Sequence, residues 1–258
     1  MLSIHHCKRL QSKSKLTLLP LLLITAATTR FTKVRAMSTS SSSTAKSNKP
    51  AALIFLHGLG DTPAGWSSLE HQLPGIEPSL ANLKYVFPPS PTIPISINGG
   101  MTMPGWFDLY DWPIAVGVKD DDEGLAKAVN SVENCVKLLE QEGVSRDRIA
   151  VGGFSQGGAV ALRSAFSGKG SFAACVSLSG WVTFKDVPAE DKIKNTPLFL
   201  AHGSEDDKVL FEQQQHAEIT LTAQGVNNIE SKSYRMGHSS HPQEMVDMAK
   251  FLNKIFYE

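Results

Sequence analysis

The sequence predicts an α/β domain built in three layers, a mostly parallel sheet with helices on both faces. Three observations carry that prediction. From residue 51 onward short apolar runs alternate with longer amphipathic stretches, and the runs are apolar at successive positions, as in Leu53-Ile54-Phe55-Leu56. Strands without polar alternation need cover on both faces, and strand–helix alternation supplies it by returning each strand parallel to the last. The chain has 258 residues, 41% of them hydrophobic, which suits one sizeable domain over two.

Taken in order, residues 1–50 stand apart. They hold nine of the 25 basic side chains, and the first acidic residue is Asp61. An apolar run over 16–29, broken by Pro20, is too short to span a bilayer core of about 30 Å. Its length suits a signal-peptide core, and the acid-free, Ser- and Arg-containing surroundings suit an organellar transit peptide. A start at Met37 would instead leave a short disordered leader and a cytoplasmic protein. These alternatives stay open, and the catalytic domain is assigned to residues 51–258.

Within that domain, residues 51–56, 83–87, 148–154, 173–178, 197–201 and 229–234 read as strands. Prolines concentrated over 88–113 predict a long irregular connection, able to form a pocket wall. In 123–142 the apolar residues Leu125, Ala128, Val129, Val132, Val136 and Leu139 recur at spacings of three and four, one face of a helix. Residues 211–224 and 243–256 repeat the pattern. Ser240, followed three positions later by Gln243, predicts a capping box for the last helix.

Charge and cysteine content narrow the function classes. Removing the leader leaves 16 basic against 25 acidic residues, a body of about −9, without the electrostatic footprint of a nucleic-acid binder. Cys7, Cys135 and Cys175 are odd in number and unrelated in spacing, which argues against a disulfide framework or zinc site and for a reducing compartment. No metal or organic cofactor is expected.

Ligands of such sheets bind beyond the carboxyl ends of the strands, and chemistry-bearing residues collect there. After the strand ending near Gly152 comes Gly153-Phe154-Ser155-Gln156-Gly157-Gly158, then the helix-prone 159–163. That is a G-x-S-x-G elbow between strand and helix, which lifts a serine hydroxyl above the sheet edge at a helix N-terminus. Serine needs a neighbouring imidazole to take its proton, and on such sheets the order is Ser, then Asp or Glu, then His, on later strand ends. Asp206 follows the strand at 197–201, with Glu205 and Asp207 flanking it; His238 follows the strand at 229–234.

Seven other histidines compete for the role of base. His5 and His6 lie in the leader, His57 and His202 precede nucleophile and acid respectively, and His71 and His216 fall in helical stretches. His241 is the rival, three residues beyond His238, but it is expected in the first turn of the last helix. An H-x-x-H zinc pair has no further ligand cluster behind it. For the oxyanion hole, the backbone N–H of Gln156 follows the nucleophile, and Leu59, between Gly58 and Gly60 after the first strand, can supply the second donor.

These motifs together make the sequence resemble the acyl-protein thioesterase and carboxylesterase family, the phospholipase/carboxylesterase branch of the α/β-hydrolases. The matching stretches are Leu-Ile-Phe-Leu-His-Gly-Leu-Gly-Asp-Thr (53–62), Met-Pro-Gly-Trp-Phe-Asp (103–108), Gly-Gly-Phe-Ser-Gln-Gly-Gly (152–158), the His-Gly before the acid, and Gly-His-Ser-Ser (237–240). The resemblance implies Ser155 as nucleophile, Asp206 as acid, His238 as base, and Leu59 and Gln156 as oxyanion donors. Where the family's thioesterases usually carry prolines after the acid, this chain has Asp207, Lys208 and Leu210. The stretches 209–212 and 179–182 are more similar to a plant carboxylesterase-like branch, some of whose members favour short acyl groups. Trp106 and Trp181 are assigned to the substrate pocket, whose walls are expected from Leu59 and from Ile93, Ile95, Ile97, Trp112 and Ile114 of the 88–118 loop.

The resemblance implies hydrolysis of acyl thioesters on protein cysteines through an acyl-enzyme. A carboxylesterase for short- to medium-chain esters or lysophospholipids is the alternative, and a non-catalytic binding protein of the same fold a third reading. The expected partners are an acylated protein or a small ester, with no nucleic acid and no integral membrane span; transient contact with a membrane surface is compatible with either substrate.

Overall fold

The computed structural model describes residues 49–168 and 170–258, so the expectations for the leader fall outside the described residues but for its last two. The strands are β1 (Ala51–Leu56), β2 (Leu83–Val86), β3 (Thr92–Ile95), β4 (Met101–Pro104), β5 (Ile149–Phe154), β6 (Ala174–Leu178), β7 (Leu198–Gly203) and β8 (Ile229–Tyr234). The helices are α1 (Pro63–Trp66), α2 (Leu69–Ile76), α3 (Asp122–Gln141), α4 (Gln156–Phe166), α5 (Asp191–Lys194), α6 (Glu212–Ala223) and α7 (Pro242–Tyr257).

Six strands form one sheet in the order β2-β1-β5-β6-β7-β8, every neighbouring pair parallel. The continuous apolar runs have the cause inferred from sequence. All of β1 is buried, and its side chains leave alternately by the two faces. Ala52, Ile54 and Leu56 join a core with α3 and α4, while Ala51, Leu53 and Phe55 join a second core with α2 and α7. Each large apolar side chain so buried contributes about 1.5–3 kcal/mol. Helix α3 turns Leu125, Ala128, Val132, Val136 and Leu139 inward, and its N-cap Asp121 accepts a hydrogen bond from the Gly124 N–H at 3.0 Å. The fold therefore rests on a two-sided sheet in which β1 and β5 sit side by side, with β1 at the point where the strand order reverses. In open α/β sheets the ligand crevice opens at such a reversal, beyond the strands' carboxyl ends.

Two expectations are corrected. The 88–113 connection is not irregular throughout: β3 and β4 pair as an antiparallel hairpin outside the main sheet, closed by Gly99 and Gly100 with φ of 65° and 79°. Pro94 and Pro104 hid it, since proline reads against a strand, yet both are tolerated in a two-stranded ribbon that leaves edges free. The last helix is capped not by Ser240 but by His241, whose Nδ1 accepts from the Gln243 N–H at 3.1 Å while Glu244 reaches back to the His241 N–H. Pro242, which has no N–H to satisfy, takes the first helical position and so sets this start. Among the described residues no helix is long and apolar enough to cross a membrane.

Candidate active site

The elbow is shaped by what its glycines leave out. A Cβ on Gly157 would stand 2.7 Å from the His57 carbonyl oxygen and closer still to that of Leu56, and a Cβ on Gly153 would stand 2.8 Å from the Leu56 oxygen. Only glycine lets the chain fold back this tightly against β1. Ser155 takes φ 55°, ψ −120°, a strained conformation for a residue with a side chain, and its N–H is tied to the Leu178 carbonyl at 2.8 Å. The strain sets the Ser155 hydroxyl at the start of α4, where unpaired N–H groups and the helix dipole favour negative charge.

Three sequence-predicted residues meet there. His238 Nε2 lies 2.8 Å from Ser155 Oγ, and His238 Nδ1 lies 2.7 Å from Asp206 Oδ2. The other carboxylate oxygen, Asp206 Oδ1, accepts the N–H groups of Lys208 at 2.9 Å and Val209 at 3.0 Å. Burial works against the Asp206 charge, but hydrogen bonds from His202 and His238, the nearby His238 charge and the Lys208 N–H outweigh it and hold the carboxyl well below the usual range. Asp206 thus stays an anion, and an anion at Nδ1 fixes the imidazole with its free Nε2 toward the serine. The neighbouring carboxylates do something else. Glu205 pairs with Arg235 at the surface, and Asp207 is exposed beside Lys208. His241, the rival base, stacks on Tyr234 and caps α7. The His238 ring packs on Phe154 at 4.8 Å, and Phe154 on Trp66 at 5.2 Å, an aromatic support with no clear sequence signal.

Of the two expected oxyanion donors, Gln156 directly follows the nucleophile and Leu59 lines the same cleft as Ser155. Gln156 is the first residue of α4, and its buried side chain is a clamp: Oε1 accepts the Trp106 N–H at 2.8 Å, and Nε2 donates to the Phe107 carbonyl at 2.6 Å. Leu59 sits on the loop after β1, where a Cβ on Gly58 would lie 3.4 Å from Ser155 Cβ. That loop is held by Trp106 Nε1 donating to the His57 carbonyl at 2.9 Å and by Gly60 N–H donating to Pro104 at 2.8 Å.

A cleft of about 380 Å³ runs over Ser155. Its lining includes the apolar Leu59, Leu109, Trp112, Ile114, Trp181 and Val209, and the polar Asp61, Ser239 and Ser240 with Trp66. Trp181 is therefore in the wall as expected, but Trp106 is not. Its two N–H groups are both used to join the oxyanion loop to Gln156, so it lies under the site as a strut, 2% exposed. Of the loop isoleucines only Ile114 reaches the cleft; Ile93 and Ile95 meet Leu59 over Gly105 instead. Among the described residues no three His, Cys, Asp or Glu side chains gather as a metal site.

Comparison with known proteins bears on this geometry. The profile of the phospholipase/carboxylesterase family matches residues 39–256. The chain is 36% identical over 218 residues to acyl-protein thioesterase 1 of Emericella nidulans, covering 80% of this chain and 90% of that protein. Among solved structures it is similar to SOBER1 of Arabidopsis thaliana, with 31% identity, TM-score 0.74 and coverage of 80% and 99% of the two chains. Acyl-protein thioesterase 2 of Zea mays is similar at 32% identity and TM-score 0.69, covering 81% and 94%.

Proposed function

The chain belongs to the phospholipase/carboxylesterase family, and from that premise we propose that it is a serine hydrolase removing acyl groups from thioesters on protein cysteines. The carrying observation is the continuous relay from Ser155 Oγ through the His238 ring to a buried, ionised Asp206. His238 Nε2 takes the Ser155 proton as the hydroxyl attacks the acyl carbonyl. The oxyanion forms between the N–H groups of Gln156 and Leu59, aided by the N-terminus of α4. His238 then gives its proton to the departing sulfur, and a thiolate with an ordinary pKa near 8.5 is a good leaving group. Water repeats the attack on the acyl-enzyme, with His238 again as base.

The mixed apolar and polar lining of the cleft supports an orientation. The acyl chain lies toward Trp112, Ile114, Trp181 and Val209, and the cysteine side toward Asp61, Ser239 and Ser240. A carboxylesterase reading for shorter esters is favoured by the modest volume of the cleft, about 380 Å³. Hydrolysis of S-acyl peptides and matched oxygen esters by the wild type and by Ser155→Ala tests the proposal. Turnover of the thioester peptide that disappears in the variant is expected. Wild-type hydrolysis of the ester alone would favour the carboxylesterase, and equal turnover by both proteins would refute the mechanism.

A further inference from the structure

The catalytic acid has a second histidine against it. His202 is the penultimate residue of the buried strand β7 and is fully shielded from solvent. Its Nε2 lies 2.8 Å from the Val209 carbonyl oxygen and 3.3 Å from Asp206 Oδ2, the oxygen that also meets His238. Both neighbours are acceptors, so Nε2 must carry the proton and share it between them. The opposite nitrogen, Nδ1, is buried and without a hydrogen-bond partner among the described residues, where a second proton would be a stranded donor. The ring is thus a neutral donor of fixed tautomer, packed edge-on against Phe211 at 6.0 Å between centroids.

Its two acceptors belong to one turn. Asp206 receives the N–H groups of Lys208 and Val209 on Oδ1, so the His202 proton closes the turn from the opposite side. The same turn holds the cleft wall: Ile114 N–H donates to the Lys208 carbonyl at 2.8 Å, and Leu210 N–H donates to the Ile114 carbonyl at 3.1 Å, a parallel bridge of Ile114 with Val209. Ile114 and Val209 line the cleft; His202 does not.

We propose that His202 is a positioning residue for the reaction, fixing the Asp206 carboxylate toward His238. The proposal rests on the Ser155–His238–Asp206 reading. It differs from a packing role in what it changes: without the donor, the Asp206–His238 pair binds a proton more readily, while substrate, which His202 does not touch, binds as before.

The test compares His202→Leu, which keeps bulk and loses the donor, with His202→Gln, whose amide can present an N–H where Nε2 stands. With an acyl thioester substrate, His202→Leu should lower kcat about tenfold or more, leave KM within about twofold, and move the acid limb of kcat/KM upward by about half a pH unit or more. His202→Gln should recover most of kcat and return the limb toward its wild-type position. Equal losses in both variants with an unmoved acid limb would reduce His202 to packing and overturn the proposal, as would a His202→Leu enzyme with unchanged kcat. The ring tautomer gives an independent reading in the wild-type chain. Nitrogen-15 NMR should find His202 protonated on Nε2, and a proton on Nδ1 would overturn the proposal. Failure of the triad reading is distinguishable, because a fluorophosphonate probe would then leave Ser155 unlabelled in the wild type whatever tautomer His202 shows.

Discussion

Replacing Asp206 by asparagine exchanges a single oxygen for an NH2 group and should cost nearly all turnover, for a reason fixed by the hydrogen bonds around it. Asp206 Oδ1 faces two backbone donors, the N–H groups of Lys208 and Val209. An asparagine there must place its carbonyl oxygen at that position, since turning its NH2 inward would oppose both donors. The NH2 then falls where Oδ2 was, 2.7 Å from His238 Nδ1. A donor at Nδ1 selects the tautomer with hydrogen on Nε2, which points that hydrogen at Ser155 Oγ and leaves no lone pair to take the serine proton. Inverting the tautomer in a triad of this kind lowers kcat by about 10,000-fold. Asp207→Asn, which removes an exposed charge beside Lys208, should stay within about twofold of wild type. The assay is release of p-nitrophenol from a butyrate ester, checked by thiol release from an acyl thioester, with thermal melts to establish that both variants fold. Comparable losses in the two variants, or more than a tenth of wild-type activity in Asp206→Asn, would refute the assignment of the acid and the tautomer reasoning together.

Other consequences are independent of that one. Gly157→Ala forces a Cβ against the Leu56 and His57 carbonyls, so it should destabilise the protein by about 1–3 kcal/mol, seen as a lower Tm, and reduce kcat by displacing the elbow. A Tm equal to wild type would show that the elbow has slack. Burial pushes the Glu244 carboxyl up from 4.5 to about 7, against a weaker opposing hydrogen bond from the His241 N–H. Because the folded state then binds the proton more tightly than the unfolded one, this group's contribution to stability should be fullest below pH 4.5 and be lost, about 3 kcal/mol in all, as pH rises through 7. Glu244→Gln should flatten that interval in a denaturation series, and an unchanged slope would count against the burial argument. Along the apolar lining of the cleft, kcat/KM should rise by up to about fourfold per added methylene, the equivalent of about 0.8 kcal/mol, and then level at medium length as the walled space of about 380 Å³ fills. A monotonic rise from acetyl to palmitoyl thioesters would contradict that wall.

Much of the fold was legible because the inner strands are buried on both faces, which writes β1 as an unbroken apolar run; its predicted and observed limits coincide at 51–56, and those of the more polar edge strand β8 coincide at 229–234. The elbow was legible because a serine between glycines has few structural reasons to stand between a strand and a helix. What escaped did so for identifiable reasons. The β3–β4 hairpin is held by four paired positions outside the sheet, too few to outweigh its prolines as a signal. Trp106 reads as pocket wall by residue type, whereas its two N–H donors commit it to the scaffold. Ser240 has the better capping chemistry, but Pro242 decides where the helix begins. His202 was passed over because it precedes the acid in sequence; the available signal was a polar ring at the end of a fully apolar strand, four residues before a carboxylate that must be held still.

The most direct measurement of the central claim is intact-protein mass spectrometry during turnover of an acyl thioester, followed by peptide mapping of the quenched enzyme. A covalent adduct equal to the acyl group, located on Ser155, formed with a burst of free thiol and absent from Ser155→Ala, is the result predicted. Thiol release with no acyl adduct on the enzyme, or an adduct on a different residue, would contradict it.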